Sequence, residues 1–120
     1  MDPVERFHEA RRLLELRQPR PALHLLEPAV ADDPESDSLR VLLAWAYFMT
    51  AQLKRAESEL VDLVDRRPTD VWARFALGRT LERQSRLEAA LPHLRMAAAM
   101  SGDVEHQVAV LRVQRRLGTP

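Results

Sequence analysis

The side chains that could carry chemistry in this chain are four histidines and 18 carboxylates, with no cysteine beside them. His8-Glu9 opens like the helical zinc motif of metalloproteases, where a second histidine one turn on completes the metal pair. The residue four after His8 is Arg12, so the pair fails. His24, His93 and His106 have no Asp, Glu or His at a ligand-like spacing that repeats. Asp32-Asp33 lies between two apolar segments, where aspartate serves turn formation and capping. Glycines at 78, 102 and 118 alone cannot build a phosphate-cradling loop. With no thiol there is no disulfide, thiolate metal site or cysteine nucleophile. The sequence thus predicts neither enzyme nor cofactor nor metal site.

Composition narrows the remaining classes. The 18 basic and 18 acidic residues cancel, which removes the basic footprint expected of a nucleic-acid or anionic-membrane binder. The start, Met1-Asp2-Pro3-Val4-Glu5-Arg6, lacks the apolar run of a secretory signal, and no uncharged apolar stretch is long enough to span a bilayer. A cytoplasmic protein is expected. All basic residues but Lys54 are arginine, a bias that a GC-rich bacterial genome would produce.

The elements that must position these side chains repeat with a period of 34 residues. Ala10, Ala44 and Gly78 align, as do Leu13, Tyr47 and Leu81, Ala22, Ala56 and Ala90, and Leu26, Leu60 and Leu94. Pro34 and Pro68 close two repeats, and Gly102 stands where a third would close. Apolar periodicity predicts helices from Asp2 to about Leu16, Pro21–Ala31, Leu39–Met49 with Asp37 as cap, Leu53–Asp65, Val71–Arg83, Leu87–Met100 and Val104–Leu117. Short turns fall at Thr50-Ala51-Gln52 and Gln84-Ser85. Small residues in register with large ones are what close helix crossings require. Pro28 and Pro92 fall inside helices and are expected to kink or loosen them, since each deletes a backbone hydrogen bond.

These columns resemble the tetratricopeptide repeat over residues 3–104, most closely from Leu43-Ala44 through Ala56 and from Leu77-Gly78 through Ala90. The resemblance implies an all-α fold: a right-handed superhelical stack of three helix–turn–helix repeats, about 3–36, 37–70 and 71–104, with a capping helix at about 105–118. Arg6, Arg40 and Arg74 depart from it in a column that is usually large and apolar, and Glu9 replaces the leucine of Leu43 and Leu77. The first repeat is therefore expected to be looser. Val108 and Leu111 are expected to continue the packing columns into the capping helix, with Arg112 and Arg115 on its soluble side.

The resemblance also implies that the first helix of each repeat lines a concave groove. Helical spacing assigns Phe7, Arg11, Val41, Leu42, Trp45, Phe48, Met49, Trp72, Phe75, Arg79 and Arg83 to that side, with His8 and Leu14, and the capping helix adds Ala109, Val110, Val113 and Leu117. Five of the six aromatic residues fall there; Tyr47 sits in a core column. Family members that clamp a terminal carboxylate carry Lys, Asn and Arg at positions that here hold Phe7, Arg11, Leu42, Trp72 and Ala76, so that partner class is not expected. The implied function is an adaptor taking an apolar helix or peptide into an aromatic groove, with Trp45 and Trp72 as anchors. The alternative is a homodimer or self-assembly module whose groove is covered by a second copy or by the chain's own terminal helix.

Overall fold

The computed structural model describes residues 1–118. It holds seven α-helices and, among these residues, no strand: α1 Pro3–Glu15, α2 Pro19–Asp32, α3 Asp37–Met49, α4 Leu53–Arg66, α5 Val71–Arg83, α6 Leu87–Ser101 and α7 Val104–Leu117. The chain divides into two compact units, Met1–Glu59 and Leu60–Pro120, with the division falling inside α4. No helix among the described residues is long and apolar enough to cross a membrane.

In the first unit α1 packs on α2, α2 on α3, and α1 on α3. Ala10, Ala22, Leu26, Ala44, Ala46 and Ala56 are fully buried there, so the small and large columns of the sequence meet inside. Tyr47 is buried as well; its hydroxyl donates to Glu27 at 3.3 Å, and Arg55 lies over its ring. In the second unit α5 packs on α6, α6 on α7, and α5 on α7. Gly78 sits where α5 and α6 cross: a Cβ placed there would lie 2.6 Å from Cδ2 and 2.7 Å from Cγ of the fully buried Leu94. No side chain fits in that gap without moving leucine.

The three intra-hairpin turns are the same turn. Arg17, Ala51 and Ser85, each 34 residues from the next, adopt positive φ of 61°, 59° and 59°. In each, the following amide bonds back five residues (Gln18 to Leu13, Gln52 to Tyr47, Arg86 to Leu81), while the left-handed residue's own amide bonds back three. This is the Schellman arrangement, which satisfies the last helical carbonyls. Glycine is the usual occupant of the left-handed position, and none of the three is glycine.

The helix starts are capped by acidic or hydroxyl side chains, as orphan amides require. Asp2 accepts from the Glu5 amide at 2.8 Å, Ser36 from Leu39 at 3.3 Å, Asp70 from Ala73 at 3.0 Å and Asp103 from Glu105 at 2.8 Å. The cap of α3 is thus Ser36 and not Asp37. Helices α2 and α6 run through Pro28 and Pro92 without ending. Both prolines lie on exposed faces, as do His24 and Glu88, whose carbonyls lose their amide partner.

Candidate functional site

Each unit presents its own aromatic face. In the first, Phe7 on α1 meets the edge of His8 with ring centroids 5.5 Å apart. The Arg11 guanidinium lies 5.7 Å from the Phe7 centroid and 3.9 Å from the Glu15 carboxylate. On α3, Val41, Trp45, Phe48 and Met49 are all half-buried. They follow one another at the spacing of one helix face, and the opposite side, carrying Leu43 and Tyr47, is buried.

In the second unit Trp72 is the most exposed aromatic residue, at 40%. Phe75, one turn on, stacks on the His106 imidazole of α7 at 4.1 Å, and that ring is fixed by Ser101 Oγ, 2.7 Å from Nδ1. Glu82 is 4% exposed and takes three charge-assisted hydrogen bonds: two from Arg112 of α7, at 2.5 and 2.9 Å, and one from Arg79 at 2.8 Å. Burial works to raise its pKa, but the two guanidiniums outweigh that and hold it below the ordinary carboxylate value. Arg112 therefore ties α7 to α5, and Arg79 is half-buried with its guanidinium on Glu82.

The remaining sequence-assigned residues divide by burial. Arg11 and Arg83 are exposed and Val110 is half-buried. Leu42, at 4%, and Val113, at 0%, are core residues, as are Leu14 and Ala109. Their expected place on a binding surface is corrected, because all four are buried. The expected packing of Val108 and Leu111 is also corrected, since both are exposed and the buried side of α7 is instead His106, Ala109 and Val113.

Sequence reasoning missed what the arginine column does. Arg6 pairs with Asp32 at 3.6 Å, Arg40 with Glu59 at 2.9 Å, and Arg74 donates to His93 Nδ1 at 3.3 Å and to the Pro68 carbonyl at 2.9 Å. Each arginine reaches from the first helix of a hairpin to the second helix or its flank, doing with a hydrogen-bonded plane what an apolar side chain does by contact. The signal was present in the 34-residue recurrence of arginine, but its partners do not recur as a type. As for chemistry, His24 is exposed, and among the described residues no group of three or more His, Asp or Glu side chains is placed to hold a metal ion.

A tetratricopeptide-repeat family model matches residues 6–70, and a second matches 51–104. The chain belongs to the tetratricopeptide-repeat family. No curated protein matches it. Among solved structures it is similar to one titled MamA MSR-1 C2, with a TM-score of 0.87 and 20% identity over 99% of this chain and 69% of that one. It is also similar to MamA 41-end from Desulfovibrio magneticus RS-1, with a TM-score of 0.91 and 17% identity over 98% of this chain and 67% of that one. A third is TTC0263, a thermophilic tetratricopeptide-repeat protein of Thermus thermophilus, with a TM-score of 0.82 and 22% identity over 98% of this chain and 66% of that one. These likenesses concern the fold.

Proposed function

We propose that this tetratricopeptide-repeat protein is a non-enzymatic adaptor that binds an apolar helix or peptide segment of another protein through its aromatic faces. The single observation that carries the reading is the incomplete burial of Trp45, Phe48 and Trp72 on helices whose opposite sides are fully committed to the core. Exposed aromatic area of this kind is costly in water and marks surfaces that a partner covers. Spaced anchors along one helix face suit helix-in-groove recognition. Buried aromatic residues would dominate the energy. In each unit an exposed arginine, Arg11 in the first and Arg83 in the second, would favour acidic residues flanking the apolar segment.

The test uses the fact that Trp45 and Trp72 are the only tryptophans. Partners captured by in-cell crosslinking are narrowed to single peptides, and each is titrated while indole emission is followed. A blue shift on binding, and affinity reduced at least about tenfold by Trp45→Ala for a peptide on the first unit's face or by Trp72→Ala for one on the second's, is the expected result. Folded variants that keep every partner at native affinity would remove the aromatic faces from the account.

A further inference from the structure

Helix α7 is apolar on two opposite sides, and only one of them is used. His106, Ala109 and Val113 face inward and are buried. Val104, Val108 and Leu111 recur at spacings of four and three along the other side, and they are 70%, 49% and 58% exposed. Arg115 continues the same stripe one turn on and is also exposed. An apolar stripe on the outer side of a helix marks a surface that a further element can cover. Among the described residues none covers it. Beside the stripe, Leu111, Val110 and Gln107 of α7 and Ala98 and Arg95 of α6 border a shallow, open cleft of about 340 Å³.

We propose that this face binds a second copy of the same helix, antiparallel, making a two-fold homodimer through α7. The charge pattern decides both occupant and orientation. One flank of the stripe carries Glu105 at its start and Arg112 and Arg116 towards its end; the other carries only Gln107 and Gln114. In an antiparallel pair about a two-fold axis, each flank meets its own copy reversed. Glu105 then faces the partner copy's Arg116, twice over, and the neutral glutamines face each other. Val108 lies opposite the partner copy's Leu111, and Val104 is covered by the aliphatic stem of the partner copy's Arg115, whose head remains in water. Run parallel, the same helices would set Arg115 against Arg115 and leave Glu105 beside glutamine. The surface is thus complementary to itself in one direction only. Arg112 is not needed for the contact, because Glu82 already holds it.

One helix face and its cleft cover less than the ~1,200 Å² of a standard stable interface, so the dimer is weak and concentration-dependent. Sedimentation of the full chain is expected to show dimer at about 100 µM and monomer near 1 µM. Leu111→Asp, at an exposed position that the fold does not use, abolishes the dimer with an unchanged helical spectrum. Glu105→Arg weakens it at least about tenfold by setting like charges together, and Glu105→Arg with Arg116→Glu restores it. A native chain that stays monomeric at about 100 µM overturns the proposal. So does a dimer that survives Leu111→Asp, a charge swap that restores nothing, or a dimer lost in Trp72→Ala, which would place the contact on the aromatic faces.

Discussion

At the scale of single residues, the polar groups inside this protein act as fasteners. Arg74 donates to His93 Nδ1, and since a guanidinium has no acceptor, that nitrogen must be the unprotonated one. Burial, then the adjacent Arg74 charge, depresses the His93 pKa below its ordinary 6.5. A histidine with a depressed folded-state pKa favours the native state while neutral. Its contribution is complete above pH 6.5 and declines as the pH falls from there to the folded value. Glu82 is likewise depressed, but from 4.5, so its contribution is present above that value and is lost only in stronger acid. Urea unfolding at about pH 7.5, 5.5 and 4 is expected to show two separate losses. His93→Gln, whose amide oxygen can still accept from Arg74, flattens the first. Glu82→Gln lowers stability by about 1–2 kcal/mol near neutral pH, through weaker hydrogen bonds to Arg79 and Arg112, and flattens the acid loss. An unchanged pH profile in both variants would remove these two groups from the account. None of this was legible in the sequence, where His93 shows no partner at a ligand-like spacing and nothing marks Glu82 as buried.

At the scale of elements, the helices were legible nearly to the residue and their joints were not. Val71–Arg83 and Val104–Leu117 have the bounds that periodicity predicts, because long amphipathic segments fix their own phase. The turns at 51 and 85 were placed correctly, but the left-handed residue in each could not be read, since Arg17, Ala51 and Ser85 lack the glycine that normally marks it. Register held these turns in place without the favoured residue. Two glycine exchanges in the same hairpin should therefore move stability in opposite directions. Ser85→Gly relieves the left-handed strain at some cost in chain entropy and is expected to stabilise by up to about 1 kcal/mol. Gly78→Ala would raise helix propensity, yet its Cβ meets Leu94 at 2.6 Å, and overpacking is expected to destabilise by about 1–3 kcal/mol. Thermal melts of the two variants decide this, and a stabilised Gly78→Ala would mean that α5 and α6 separate easily at their crossing. The sequence also misjudged α7 for a reason at this scale. Val108 and Leu111 occupy columns that pack against the second helix of a hairpin, and no such helix follows among the described residues, so the pattern continued while the packing did not.

At the scale of the whole molecule, the 34-residue period implies that each helix is supported by its immediate neighbours, so stability is built from adjacent contacts and not from one central core. The buried residues agree with this: Leu26 with Ala10, Ala22 and Ala44 in the first compact unit, and Leu94 with Leu77, Ala90 and Ala97 in the second. The incomplete burial of Trp45 and Trp72, opposite the buried Leu43 and Tyr47 of one helix and Leu77 and Leu81 of the other, was legible because it follows from helical phase. The burial of Leu42 and Val113 was not, because it depends on how closely neighbouring helices pack, a distance that spacing does not encode. The same neighbour logic yields a prediction about how damage spreads. Leu94→Ala empties a fully buried site against Gly78 and is expected to cost about 2–5 kcal/mol. In amide exchange, protection should fall first and furthest over α5 to α7, while α1 to α3 keep most of theirs, because their buried contacts are untouched. Pepsin fragments covering 3–49 and 71–117 report the two regions separately. An equal loss of protection in both would show that the chain opens as one cooperative body, and the neighbour-by-neighbour account of its stability would have to be given up.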